Sequence, residues 1–185
     1  ALPMFPIHLV TKVDLEFIPS NYKDLTGDKS AMDAIICFKT ADGKDGFIAI
    51  ETKYSENLGT NEASNTDKAI ETIRQLSCFN SDFEERINKK KTKLTQIYRN
   101  FLLSERYGLW IGAESYSIVL SPKLHPSTDD EVLSVTNEMR PEYKGKLQSI
   151  TLESFTNKLI SESPEEYAEI FRRIRDRYLS FGRVE

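Results

Sequence analysis

Asp33, Glu51 and Lys53 are the side chains whose types and spacing suit chemistry in this 185-residue chain. Glu51 and Lys53 stand two positions apart at the end of the apolar run from Gly46 to Tyr54. Alternate residues of a strand share a face, so the acid and the base emerge together while Ile48 and Ile50 point the other way. Two carboxylates and an ammonium converging at a strand end form a hard-oxygen site suited to Mg²⁺, which takes one or two carboxylates plus waters and substrate phosphate. Without a cation the acids repel one another and one pKa rises. A divalent ion removes that conflict, polarises a phosphoryl oxygen and lowers the pKa of a bound water. Lys53 is then placed to orient that water or to stabilise charge developing on the phosphate.

Two strands must position these groups. Ser30 to Thr40 and Gly46 to Asn57 bound runs of β-branched and aromatic residues, and the Asp/Gly-rich connection Ala41 to Gly46 makes them a hairpin. Residues directly opposite in a hairpin point to the same side. A two-residue turn at Asp42-Gly43 pairs Asp33 with Thr52, on the wrong face. A three-residue loop over Asp42–Lys44, or a five-residue loop over Ala41–Asp45, sets Asp33 opposite Lys53 and diagonal to Glu51. The chemistry therefore predicts an odd loop or a compensating bulge.

Asp33, a hairpin, and then Ile50-Glu51-Thr52-Lys53-Tyr54 resemble the catalytic signature of the PD-(D/E)xK, or restriction-endonuclease-like, nuclease superfamily. The resemblance implies that Asp33 and Glu51 hold Mg²⁺, with Mn²⁺ a substitute, while Lys53 assists the attacking water in phosphodiester hydrolysis. Met32 stands where the name-giving proline would be, a departure common in the family. A bare Glu-x-Lys on a surface hairpin is ordinary decoration; Ile35 and Ile36 beside the Asp, the apolar lead into Glu51 and the downstream element order favour the nuclease pattern. The fold class it implies is α/β, a mixed central sheet flanked by helices.

Downstream, Leu94, Ile97, Tyr98, Phe101 and Leu102 form the i, i+3, i+4 stripe of a helix over residues 92–106 that packs on the sheet. Gln96, Arg99 and Asn100 share its flank. This Gln-x-x-Arg-Asn helix is similar to one beside the active site in some bacterial restriction-type members, which makes Gln96 and Arg99 candidates for orienting water or the scissile phosphate. Lys89, Lys90 and Lys91, with Lys93, are the clearest basic patch and candidates for phosphate contact. Asp14 and Glu16, on a first strand over Ile7–Ile18, could add an acid to the metal.

The length suits one domain over residues 1–185, with residues 129–185 a helical C-terminal extension and the family's usual first helix not evident. Two unpatterned cysteines, Cys37 and Cys78, fit a reducing cytoplasm and read as core packing. No apolar run approaches the roughly 20 residues a membrane span needs. A net charge of −4 argues against polyanion binding by the whole surface, though not by one face. Gly-rich phosphate loops, zinc-ligand spacings and Gly-x-Ser-x-Gly elbows are missing, which removes support for NTPase, zinc-site and serine-hydrolase readings.

His8 and His125 read as structural. Further helices are expected over residues 66–79, 129–139 and 152–160, strands over 116–121 and 148–151, a short turn after Ser81, and a loop over 19–29. A last helix following Pro164 has the apolar stripe Tyr167, Ile170, Phe171, Ile174 and Tyr178, expected to be buried against the domain or in a homodimer. The leading expectation is a Mg²⁺-dependent DNA endonuclease of bacterial restriction or defence, with RNA left open as substrate. Its rival is a catalytically silent module of the same fold that binds nucleic acid or a protein partner.

Overall fold

A computed structural model describes residues 5–27, 29–55, 67–89, 94–125 and 127–180. β1 (Leu9–Phe17), β2 (Met32–Lys39) and β3 (Asp45–Thr52) form an antiparallel meander, and β4 (Glu114–Ser121) and β5 (Leu147–Thr151) extend it in parallel, giving one sheet in the order β1-β2-β3-β4-β5. This is the mixed sheet flanked by helices that the sequence predicts. β3 lies at its centre, with Gly46 through Glu51 buried, as a strand covered on both faces should be. β1 is an edge strand whose Leu9, Val10, Val13 and Leu15 are exposed.

The β3–β4 crossover carries α2 (Asp67–Leu76), α3 (Ser81–Asn88) and α4 (Gln96–Ile111). Asn80 caps α3 by accepting from the Phe83 N–H, and the short turn expected after Ser81 is an eight-residue helix. α4 continues past residue 106 and stops where Gly112 takes a left-handed φ of 69°. Its apolar side meets Phe79, Phe83 and Val119 in the largest core, with Phe101 and Leu102 fully buried. Glu105, on the same helix, is buried with both oxygens paired, one to Ser115 Oγ at 2.6 Å and one to Lys146 Nζ at 2.9 Å. The opposite sheet face is closed by Phe5, Leu152 and Phe155 against Phe38, Ile48, Ile118 and Leu120.

Several expectations are corrected. The loop over 19–29 contains a helical turn, α1 (Tyr22–Leu25), closed by backbone bonds from Thr26 and Gly27 N–H to Tyr22 O. The strand expected over 148–151 is β5, which lies between α5 (Thr128–Glu138) and α6 (Leu152–Glu162) and joins the central sheet beside β4. α7 (Glu165–Tyr178) packs against α6, yet its stripe is not buried in cis: Tyr167, Ile170, Ile174 and Tyr178 are 51%, 52%, 41% and 50% exposed. Residue 66, where the helix expected over 66–79 begins, lies outside the described residues. His125 Nδ1 lies 2.8 Å from Thr128 Oγ1 at the start of α5.

Candidate active site

The hairpin register decides which side chains meet. Lys39 pairs with Asp45 and Ala34 with Ile50, so the loop is Thr40–Lys44. It is five residues long, as an odd loop requires, but starts one position earlier than expected, because Thr40 closes it by exchanging bonds with Lys44. One ladder step beyond Ala34–Ile50 places Asp33 opposite Glu51, which corrects the expected pairing with Lys53 and puts both acids on one face. That face is the one α4 covers, since Ala49 and Val119, the neighbours of Glu51 along β3 and across β4, both point into the α4-side cores.

Glu51 is 6% exposed and held from three directions. Gln96 Nε2 donates to Oε1 at 2.7 Å, Asn100 Nδ2 donates to Oε2 at 2.8 Å, and Lys53 Nζ lies 2.6 Å from Oε1. Gln96 and Asn100 are one helical turn apart, which is why both reach the same carboxylate. Asp33 is half-buried and turned across the strand end, its Oδ2 accepting from the Thr52 N–H at 2.6 Å. Lys53, 8% exposed, is fixed by its own N–H donating to Leu120 O at 2.7 Å. The next residue ties this edge to α7: Tyr54 OH donates to Tyr178 O at 2.5 Å.

Burial raises the pKa of Glu51, the Asp33 charge raises it further, and the Lys53 ammonium and Asn100 amide oppose the rise. Asp33 and Glu51 face each other at one strand end and Lys53 offsets only part of their charge, so the pair is a donor set suited to a divalent cation such as Mg²⁺. Among the described residues no group of three His, Cys, Asp or Glu could hold a metal. Neither Asp14 nor Glu16 therefore completes a third ligand. Asp14 pairs with Lys12 at 2.6 Å, and Glu16 has a left-handed φ of 50° near the end of the edge strand. Two protein carboxylates suit an ion that keeps waters and takes substrate oxygens, rather than a closed protein cage.

Of the predicted site residues, the structure brings together Asp33, Glu51, Lys53 and Gln96. Gln96 sits on the carboxylate of Glu51, so its contact is with the candidate ligand itself. Arg99 is half-buried on the same helix, its backbone N–H donating to Thr95 O. Lys89 is ion-paired with Glu85 on α3, while Lys90 and Lys91 lie outside the described residues. Asn100 is the contact the sequence reading did not assign. Its four-residue spacing from Gln96 was the available signal.

A family model described as the PD-(D/E)XK nuclease superfamily matches residues 2–180. No curated protein and no solved structure matches the chain.

Proposed function

The chain belongs to the PD-(D/E)XK nuclease superfamily, and on that premise we propose that it is a metal-dependent endonuclease hydrolysing DNA phosphodiester bonds, with a place in bacterial restriction or defence. The observation that carries the reading is the register: it sets Asp33 opposite Glu51 on the α4 face, with Lys53 Nζ 2.6 Å from Glu51. Asp33 and Glu51 would hold Mg²⁺, or Mn²⁺ in its place. When bound, the ion supplies Lewis-acid polarisation of the phosphoryl oxygen and a more acidic water.

The chain's own groups do the rest. Gln96 and Asn100 lock the Glu51 carboxylate in one orientation before substrate arrives. Lys53 donates hydrogen bonds to the attacking water or to the charge that grows on the phosphate as the leaving oxygen departs. Arg99 is assigned to the phosphate beside the scissile bond. Lys89 is assigned to the flanking backbone with Lys90 and Lys91, because its solvent-exposed pair with Glu85 costs little to exchange. Cutting both strands of a duplex calls for two such edges, hence a homodimer.

Supercoiled plasmid incubated with the protein and Mg²⁺, with EDTA as the paired control, tests the reading. Nicked or linear product that EDTA abolishes is expected. Binding without cleavage at any Mg²⁺ or Mn²⁺ concentration would favour the silent module instead.

A further inference from the structure

α7 carries an apolar stripe that the described residues cover only in part. Ala168 is its only buried residue within the helix, while Tyr167, Ile170, Ile174 and Tyr178 are about half exposed at spacings of three, four and four. That alternation is the seam of a helix that packs on another helix. Four large apolar side chains in one line also make a patch of the kind that marks an interaction surface.

The charges beside the stripe say what kind of surface fits it. From residue 165 to 169 α7 has three acids and no base; from 171 to 178 it has four arginines and one acid. One end of α7 is therefore negative and the other positive. Most of these groups are spent within the helix pair: Arg172 holds Glu165 and Glu169, Arg173 holds Glu169, and Arg175 reaches Asp176 and Asn157. Glu166 and Arg177 make no ion pair among the described residues, and Arg177 lies over the Tyr178 ring at 5.3 Å. Glu166, Ile170, Arg173 and Arg177 follow one another at helical spacing, so they form a single ridge along the stripe.

A helix with this pattern is complementary to itself when reversed. We propose that α7 is the interface of a two-fold homodimer, pairing antiparallel with α7 of a second copy. A two-fold axis near Arg172 sets Tyr167 against the partner's Tyr178 and Ile170 against the partner's Ile174. The same operation brings Glu166 beside the partner's Arg177, twice per dimer. A parallel pairing would instead stack arginine end on arginine end. A nucleic-acid strand along α7 would meet the acidic first half.

The pairing also has a consequence at the catalytic edge. β5 ends there, with Thr151 opposite Ser121, and α6 leaves that edge while α7 returns to it, where Tyr178 O accepts from Tyr54 OH. Pairing the two α7 helices thus carries two Asp33–Glu51–Lys53 edges in one particle, near Tyr178 residues about 17 Å apart along the paired helices. This last step rests on the hydrolytic reading. The interface itself stands on α7.

Sedimentation velocity over a series from about 1 to 100 µM tests the interface. The wild-type chain should run as a monomer–dimer equilibrium, and Ile170→Asp/Ile174→Asp should run as a monomer with an unchanged circular-dichroism spectrum. Arg177→Glu should raise the dimer Kd on the order of tenfold, since two attractive contacts become repulsive. Glu166→Arg combined with Arg177→Glu should restore it to within about threefold, because the swapped charges again face their opposites. A wild-type chain that stays monomeric across the series overturns the proposal, as does a charge swap that fails to restore what Arg177→Glu removed. A monomer in which Arg177→Glu instead lowers the affinity for a labelled DNA duplex assigns the face to substrate, and also overturns it. Plasmid cleavage is scored separately: a cleaving monomer refutes the interface and keeps hydrolysis, whereas a dimer that does not cleave does the reverse.

Discussion

Replacing Lys53 by methionine removes the ammonium from the buried Glu51–Lys53 pair while filling similar space. The two side chains are 8% and 10% exposed and 2.6 Å apart, so Glu51 would be left as a buried charge held by two amides and facing Asp33. Stranding one member of a buried pair costs about 3–5 kcal/mol if the survivor stays charged. Glu51 has an escape, which is to take a proton. Its ordinary pKa is 4.5, so protonation at pH 7 costs about 2.5 pH units, or roughly 3.4 kcal/mol, and that figure caps the loss. The cap shrinks by about 1.4 kcal/mol for each pH unit of acidification and vanishes near the ordinary value.

The sign follows from linkage. A carboxyl whose folded pKa is raised holds its proton more tightly when folded, so its stability contribution is full below the ordinary value and is lost as pH rises through the folded one. Urea unfolding in EDTA should therefore show Lys53→Met destabilised by up to about 3 kcal/mol at pH 7 but by well under 1.5 at pH 5. Glu51→Gln/Lys53→Met should recover most of the loss at pH 7. A deficit equal at both pH values, or a double variant no more stable than Lys53→Met, would refute the claim that these two groups compensate each other in the buried site.

The site's other members have separable signatures. Asn100→Ala removes one amide from Glu51 and should weaken Mg²⁺ binding about 10- to 100-fold by calorimetry, with Gln96→Ala similar, since both orient a candidate ligand. Lys53→Ala should leave Mg²⁺ affinity near wild type while the single-turnover cleavage rate falls on the order of 10²-fold. Because burial and Asp33 hold the Glu51 pKa above 4.5, protons should displace Mg²⁺ at a higher pH than for an exposed glutamate; a calorimetric pH series showing loss only near 4.5 would contradict that. Away from the site, a Cβ at Gly108 would come within 2.9 Å of Ala113 O and 3.0 Å of Ser115 Oγ. Gly108→Ala should lower stability by about 1–3 kcal/mol in thermal unfolding, despite the usual helical gain.

The parts of the fold legible in the sequence were those with strong periodicity or punctuation. The β2–β3 hairpin, the stripe of α4 and the Glu51/Lys53 alternation follow from residue types at spacings of two, three and four. The exact pairing of Asp33 was not legible, because moving the same five-residue loop by one position preserves the face and changes the partner; only Thr40 closing on Lys44 settles it. Asn100 was visible as a flank residue, but its bond to Glu51 depends on how α4 crosses β3, a tertiary relation. Likewise, the apolar stripe of α7 shows that the helix must pack on something, not that Ala168 alone is fully buried while Ile170 and Ile174 stay about half exposed.

Crystals soaked in Mn²⁺ and measured at the manganese absorption edge would locate the ion by anomalous scattering. The site described here predicts one peak between Asp33 and Glu51, with a carboxylate oxygen of each about 2.0–2.3 Å away, and its disappearance in Asp33→Ala. A fully occupied ion elsewhere, or none at saturating Mn²⁺ with both carboxylates ordered, would contradict the metal site on which the proposed hydrolysis depends.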